Sequence, residues 1–453
     1  MSGTGPVPPR GTVRLPDRAE GAPLGPAWSV TPPLVWTVAA GLAVLVLGVL
    51  GGRPDVAALG APCVLGAVWA LWARPRGSVW ADVVPTAEGR SGAELTAEVR
   101  LTAPVGTEAV RVRVSRPGHG ATEALVHVPL TRTLGVAAAS VRTGPQDLFR
   151  VERQGVGPGG LVVGPVDEEP PSVVLVLPTA RSVADLPLPT RLRGLSGQHE
   201  SRRAGDGGGL RDIHPFQPGD TLRRIDWRAT ARRSPRLEQL YVRRTLALAE
   251  AVVTLVVDSR DEVGPDPRTW SGMRAIRPDD ATSLDLARQA AATVAQGFLA
   301  AGDRVGVEDL GVRRRALRPG AGRRQLDRVV HQLALLRPEG DPARRVRPPH
   351  LTTGSLVVLF STFLDPEAAE LARTWRRAGH RVVAVDVLPR LRVRALDQRE
   401  RVALRMVQIE RSDRLDDVVA AGAELVRWAD DDASARLQAF ARLSHRRPGP
   451  GVG

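Results

Sequence analysis

The stretch VVTLVVD, residues 252–258, decides the fold of the C-terminal half of the chain. A short run of apolar and β-branched residues that ends at an aspartate is typical of a parallel strand buried on both faces. Similar runs recur at residues 304–307, 356–360 and 382–387, with helical patterns between them. This alternation predicts an α/β doubly wound sheet, and ligands of such sheets bind at the carboxyl ends of the strands.

We expect this α/β domain to span residues 246–445, followed by a flexible tail at 446–453. A helix is expected to start near Thr282 or Ser283, and Asp365-Pro366 predicts another start because aspartate caps helices and proline suits the first helical position. A terminal helix is expected near residues 434–443.

A different pattern occupies residues 78–180, where short segments alternate apolar and polar residues between Gly and Pro turns. Examples are residues 79–83, 95–101 and 110–114. This spacing predicts a small antiparallel β-sandwich-like domain. The segment carries no recognisable chemistry, which favours an interaction or spacer module.

Two uncharged runs, residues 34–50 and 56–73, lie near the N-terminus and are joined by a short Arg-Pro-Asp turn. Each is 17 or 18 residues long, so residues 34–73 predict a hairpin of two transmembrane helices. A buried core hairpin is one alternative, and a single span with the second run lying in the interface is another, because Gly60, Pro62 and Gly66 weaken that run. A cleaved signal peptide fits less well, since a second apolar run follows immediately.

Arginines flank the hairpin on both outer sides, within residues 10–18 and at Arg74 and Arg76. The positive-inside tendency therefore predicts a multi-pass protein of the cell membrane with its soluble domains in the cytoplasm. The Pro- and Gly-rich residues 1–33 are expected to form a flexible tail.

Composition excludes several chemistries. All 63 basic residues of the 453-residue chain are Arg, with no Lys and no Asn, so phosphate-loop and Schiff-base lysines are absent. The single cysteine, Cys63, excludes an intramolecular disulfide. The net charge of +14 can be explained in three ways: a GC-rich coding bias that favours Arg, contact with anionic lipid or an acidic partner, or nucleic-acid binding. Nucleic acid is not expected, because aromatic residues are only 4% of the chain.

The segment 181–245 links the two folded domains, and its most informative part is residues 205–232. There, Arg and Asp residues interleave around Ile225 and Trp227, after a Pro-Gly-Asp turn. Arg–carboxylate pairs can lock such a loop against a domain as a structural clamp. Alternatively, Trp and Arg are the side chains that anchor protein interfaces. The candidate docking residues are Asp220, Arg223, Asp226 and Trp227.

The motifs of this segment resemble a known family. They are Gly-Asp-Gly (205–207), Arg-Asp-Ile (211–213), Pro-Gly-Asp (218–220), Arg-Arg-Ile-Asp-Trp (223–227) and Ala-Arg (231–232). In this order they resemble the signature of the bacterial family catalogued as domain of unknown function 58. The resemblance implies a von Willebrand factor A-like domain on a membrane anchor. It also implies a partner, a MoxR-type AAA+ ATPase, with which the protein would assemble or mature other complexes.

Domains of the A type often bind magnesium through an Asp-x-Ser-x-Ser loop and a later Asp. Here Asp258 fits the first position, whereas Arg260 and Glu262 replace the two serines and Thr362 stands where the later Asp is expected. Magnesium prefers several hard oxygen ligands, so this set is degenerate. Magnesium binding remains an alternative, but we expect no cofactor and a metal-free pocket in which Arg260 pairs with Asp258.

The sequence thus predicts a non-enzymatic, membrane-anchored adaptor that contacts the ATPase or its client proteins and the lipid bilayer. Two other classes remain open: a magnesium-dependent adhesion module or enzyme at the same strand edge, and an Arg-rich binder of anionic lipid or nucleic acid. The expected partner-binding residues are Asp220, Arg223, Asp226, Trp227, Asp258, Arg260 and Glu262.

Overall fold

The computed structural model describes residues 28–86, 94–181, 183, 186–193, 197–311, 316–338, 348–349, 351–429 and 442. Along the chain they form an apolar helical hairpin, a β-rich region, a two-stranded ribbon and a mixed α/β region. The expected terminal helix at 434–443, the tail at 446–453 and residues 1–27 lie outside the described residues, apart from residue 442.

The hairpin consists of helices α1 (Pro32–Leu50) and α2 (Pro54–Trp72), both long and apolar enough to cross a membrane. Their close approach depends on small residues. A Cβ atom added at Gly60 would lie 2.4 Å from the carbonyl oxygen of Gly41, and one added at Gly48 would lie 2.3 Å from the backbone nitrogen of Ala57. Small residues of this kind let two apolar helices pack without a polar interface. The hairpin expected from the sequence is therefore present, and α2 continues through Pro62.

The last residues of the expected flexible tail have a defined structure. Ser29–Val30 form a short strand (β1), and the side chain of Trp28 is only 7% exposed. The Trp28 indole donates a hydrogen bond to the carbonyl oxygen of Gly77 at 2.9 Å. The prediction of a tail reaching residue 33 is therefore wrong for residues 28–33, because distant parts of the chain bury this tryptophan.

The described residues of the β-rich region form nine strands: Trp80–Pro85 (β2), Glu94–Thr102 (β3), Ala109–Ser115 (β4), Thr122–His127 (β5), Thr131–Ala139 (β6), Gly144–Asp147 (β7), Arg150–Val156 (β8), Val162–Glu169 (β9) and Val173–Val176 (β10). They form antiparallel sheets with the orders β1-β9-β8-β4-β5, β2-β3-β6 and β10-β7. One apolar core, which includes Val99, Val110 and Val151, is shared between the sheets. Strands β6, β7 and β8 were not expected, because Gly, Arg and Gln interrupt their apolar alternation.

The linking segment forms the ribbon, which pairs strands β11 (His199–Pro215) and β12 (Tyr241–Ala249). The short helix α3 (Trp227–Arg233) lies between the two strands in sequence and packs against β12. The Gly-rich run 205–209 belongs to β11, where the register of pairing shifts.

The α/β region is built on a six-stranded sheet with the order β15-β14-β13-β16-β17-β18. Its strands are Val252–Val257 (β13), Arg304–Asp309 (β14), Leu317–Gly320 (β15), Leu356–Ser361 (β16), Arg381–Asp386 (β17) and Glu424–Arg427 (β18). Only β15 is antiparallel to its neighbour. Its helices are Ser283–Ala300 (α4), Arg323–Ala334 (α5), Pro366–Arg377 (α6) and Gln398–Ala420 (α7).

Helices cover both faces of this sheet. Leu255 packs in one apolar cluster with residues of α4 and α5, whereas its neighbour Val256 packs in a second cluster with residues of α6 and α7. Successive residues of a strand point to opposite faces, so a strand between two helix layers must be apolar throughout. This confirms the buried strand predicted at 252–257 and the helix starts predicted at Thr282 and Asp365.

Candidate functional site

The parallel strands of the central sheet end in polar side chains. Asp258 directly follows β13, Asp309 ends β14, Ser361 ends β16 and Asp386 ends β17. All four residues are buried. The four residues meet at one side of the sheet, which we name the carboxyl edge.

Arg260 occupies the middle of the carboxyl edge. Its Nε and Nη2 atoms each lie 2.8 Å from an oxygen of Asp258, which is a bidentate pair. Nη2 also donates to both carboxylate oxygens of Asp365, at 3.0 and 2.9 Å. The side chain of Arg260 is only 3% exposed, so the guanidinium fills the space between the two carboxylates. The pairing of Arg260 with Asp258 is the contact that the sequence predicted.

Burial and charge shape the titration of this cluster. Burial opposes the charge of Arg260, but the hydrogen bonds and charges of Asp258 and Asp365 outweigh it and raise the Arg260 pKa. Burial, together with the charge of Asp258, raises the pKa of Asp365. Burial likewise raises the pKa of Asp261 to about 7, with the Asp258 and Asp365 carboxylates adding to the effect. Three carboxyl groups therefore share one guanidinium, and two of them, Asp261 and Asp365, keep their protons to a higher pH than usual.

The residues at the expected metal positions are only partly brought together. Ser361, and not Thr362, donates a hydrogen bond to Asp258, at 2.8 Å. The Thr362 hydroxyl instead accepts from the backbone nitrogen of Leu364. The later acid is Asp365, the N-cap of α6, which the sequence analysis had assigned only to helix capping. Within the described part of the chain, no group of three or more His, Cys, Asp or Glu residues has the geometry to hold a metal ion.

Glu262 lies in a different cluster from Asp258. Its Oε1 atom accepts hydrogen bonds from Arg142 of the β-rich region at 2.6 Å and from Thr282 at 2.5 Å. The neighbouring Asp285, on α4, accepts from the backbone nitrogen of Thr143 at 2.7 Å and pairs with Arg142 at 2.8 Å. The structure thus corrects the placement of Glu262 at the candidate site, because this side chain joins the β-rich region to the start of α4.

Two of the candidate docking residues in the linking segment have structural roles. Asp226 caps α3, since its Oδ1 atom accepts from the backbone nitrogen of Ala229 at 2.9 Å. Asp220 accepts from the backbone nitrogen of Gln217 at 3.0 Å and lies 3.3 Å from His214 on β11. These contacts stabilise the turn and the start of α3 beside the ribbon.

The other two candidates, Arg223 and Trp227, are exposed and line a groove of about 580 Å³. The side chain of Trp227 is 62% exposed, although tryptophan is a residue that folding normally buries. We define the ribbon groove by its lining residues Arg223, Arg224, Ile225, Asp226, Trp227, Arg243 and Thr245. Arg243, on β12, was not a candidate in the sequence analysis, because only strand pairing brings it beside residues 223–227.

Asp258 and Arg260 are buried at the carboxyl edge, whereas Arg223 and Trp227 are exposed on the ribbon. The base of the ribbon meets the amino ends of the strands, where His199 lies 2.9 Å from Asp303, the residue before β14. Strand β12 then extends away from this base to Tyr241, over about 27 Å at the usual rise per residue. The seven candidate residues therefore do not form one surface.

This arrangement defines a mixed α/β protein with a closed, salt-bridged carboxyl edge and an open basic groove on the ribbon. Residues 212–404 match the model of the family described as "Protein of unknown function DUF58". This stretch, which covers the second half of the ribbon and most of the α/β region, belongs to that family. No curated protein matches the chain significantly.

Proposed function

We propose that this protein is a membrane-anchored, non-enzymatic adaptor whose α/β region is a von Willebrand factor A-like, doubly wound domain that binds protein partners. One observation carries the proposal: an exposed tryptophan stands beside arginines in an open groove. Partly exposed Trp and Arg side chains that converge on one concave site are the combination most enriched among energetically dominant interface residues.

The state of the carboxyl edge supports binding over catalysis. Ligands of doubly wound sheets enter at this edge. Here Arg260 occupies the space between Asp258 and Asp365, and the β-rich region contacts the loop at Glu262. A substrate would have to break a buried bidentate pair to reach Asp258, which is costly.

The charge of the ribbon groove indicates the chemistry of the partner. Arg223 and Arg243 line the described part of the groove together with the carboxylate of Asp226, which is engaged in capping α3. Arginine forks pair well with carboxylates, and an aromatic face can pack on an apolar side chain of the same partner. The groove therefore suits an acidic surface segment. We assign that segment to a MoxR-type AAA+ ATPase or its client, on the basis of the family resemblance.

The apolar hairpin supports the membrane part of the proposal. Both helices expose large apolar side chains, for example Leu50 at 80% and Leu59 at 71%. A bilayer would cover these surfaces, and the flanking Arg74 and Arg76 favour a cytoplasmic location for the domains. Protease treatment of intact cells should leave these domains undigested. Digestion from outside would contradict this orientation.

The binding site can be tested with purified components. The full chain in lipid nanodiscs is titrated with the MoxR-type ATPase encoded in the same genome. Trp227→Ala and Arg243→Ala should each weaken binding about 30-fold, which corresponds to the roughly 2 kcal/mol expected of an interface anchor. Met273→Ala, at an 89% exposed residue outside the groove, is the matched control and should bind like the wild type. Unchanged affinity in both groove variants would refute this site.

A further inference from the structure

The β-rich region is fastened to the end of the hairpin where α1 starts and α2 finishes. The backbone nitrogen of Thr31, the residue before α1, donates to the carbonyl oxygen of Leu161 at 3.0 Å. Strand β1 pairs with β9 just before α1 begins. Trp28 and Leu34 form a buried cluster with Val162 of β9 and with alanines of the last turns of α2. The hairpin and this region therefore form one packed unit.

A second loop of the β-rich region lies across the end of α2. Gly106, between β3 and β4, has φ of +92°, and a Cβ atom added to it would lie 2.9 Å from the carbonyl oxygen of Ala73. Only glycine accommodates both this backbone conformation and this approach. The adjacent side chain of Val105 is 80% exposed.

Helix length fixes the depth of this loop if the hairpin spans a bilayer. Each helix has 19 residues. At about 1.5 Å per residue they are roughly 28 Å long, which is close to the ~30 Å thickness of the hydrocarbon core. The two helices run antiparallel, so Thr31 and Ala73 both mark the same boundary between hydrocarbon and headgroups. The loop that touches Ala73 must then lie among the headgroups.

The side chains around this loop suit such an environment. Trp72 is 81% exposed and Trp36 is 74% exposed, both near this end of the hairpin, and Arg74 and Arg76 follow α2 directly. Tryptophan is enriched at the membrane–water interface, and arginine there attracts anionic lipid. Exposure of the Val105 side chain to water is unfavourable, whereas its burial in the membrane interface lowers the free energy because apolar surface leaves water.

We propose that the β-rich region is a membrane-resting domain, whose loop 104–106 inserts Val105 among the lipid headgroups beside the hairpin. This inference rests on the proposed membrane anchor and deepens it. The occupant of this surface is lipid because the loop is continuous with the end of the apolar hairpin, where a protein partner would compete with the bilayer. The β-rich region would thereby hold the α/β region at a fixed height above the membrane.

Cys63 is the single cysteine of the sequence, so one substitution gives a cysteine-free background for labelling. In a Cys63→Ala background, the substitution Val105→Cys provides the site for an environment-sensitive fluorophore. The labelled full chain is reconstituted into vesicles that contain anionic lipid. Spin-labelled lipids with the nitroxide in the headgroup region or deep in the acyl chains then quench the label. Leu59→Cys, in α2, reports on the anchor, and Met273→Cys, in the α/β region, is the exposed control.

The proposal predicts a blue-shifted emission at position 105 and quenching by the headgroup nitroxide, with neither effect at position 273. A label at 105 that behaves like the label at 273 would overturn it. The label at position 59 distinguishes failure of the membrane anchor from failure of the membrane-resting loop. If position 59 is quenched by the deep nitroxide while position 105 is quenched by neither nitroxide, the anchor stands and the resting surface is wrong. If neither position is quenched, both fail.

Discussion

Replacing Arg260 with methionine tests the closed carboxyl edge directly. The substitution keeps an unbranched apolar stem but removes the guanidinium that pairs with Asp258 and Asp365. The side chains of these two carboxylates are only 1% and 17% exposed, so water cannot replace the lost charge. The Ser361 hydroxyl would then be the principal remaining side-chain donor to Asp258.

The expected loss of stability is large. Removing one partner of a buried ion pair typically costs about 3–5 kcal/mol, because the other charge is left buried without compensation. Here one cation serves two acids, so the upper part of that range is expected. Arg304→Met is the matched control: its ion pair with Glu250 has a similar N–O distance, 2.7 Å, but Arg304 is 52% exposed. A pair of that kind contributes about 0–1 kcal/mol.

Urea unfolding of the full chain in detergent, followed by tryptophan fluorescence, measures the difference. Arg260→Met should lower the transition midpoint well below that of Arg304→Met, and adding Asp258→Asn to Arg260→Met should recover part of the loss. If the two single variants unfold at the same urea concentration, the guanidinium does not hold the edge closed and the reasoning fails.

Three further predictions follow from the described contacts. Asp261→Asn should flatten the pH dependence of stability. The folded wild type keeps the Asp261 proton between pH 3.8 and about 7 while the unfolded state has lost it, so this contribution to stability is lost as pH rises through that window, and the variant lacks it. Equal slopes of Tm against pH for the two proteins would contradict this. Asp285→Asn should lower the free energy of unfolding by about 3 kcal/mol, because it weakens the contact between the β-rich region and α4. The control Asp416→Asn, on the exposed face of α7, should change it very little in the same thermal melts. Equal losses of stability in the two variants would count against the contact. Gly41→Val should push the two hairpin helices apart, since a Cβ atom there would lie 2.7 Å from that of Cys63. It should therefore lower the Tm in detergent more than Gly66→Val, whose added Cβ atom meets nothing within 4 Å, and equal losses would mean that the helices do not pack this way.

The central strands could be predicted from the sequence, because a strand that is buried on both faces of the sheet requires an unbroken apolar run. The stretch 252–257 and the cap-and-proline pair at Asp365 each carry a local physical signal, and both were placed correctly. Helix α7 carries no such signal. Only Leu404, Leu415 and Val418 of its 23 residues are buried, and charges surround the rest, so no apolar stripe marks it.

The candidate site was predicted only where its contacts are local. Arg260 lies two residues from Asp258, and that pair was foreseen. Asp365 lies 105 residues away from Arg260, and its place in the cluster depends on the order of strands in the sheet. The choice of Ser361 over Thr362 depends on strand register, because adjacent residues point to opposite sides. Glu262 was misplaced because its partner, Arg142, belongs to another region of the chain.

Photo-crosslinking tests the central claim, that partners bind at the ribbon groove and not at the carboxyl edge. A photoreactive amino acid replaces Leu222, which is 69% exposed next to Arg223 of the groove, or Val393, which is 44% exposed in the loop whose Arg392 contacts Pro265 near the carboxyl edge. Both full-length variants are irradiated in nanodiscs with the MoxR-type ATPase. We expect a crosslinked product from position 222 and none from position 393. A product from position 393 alone would contradict it.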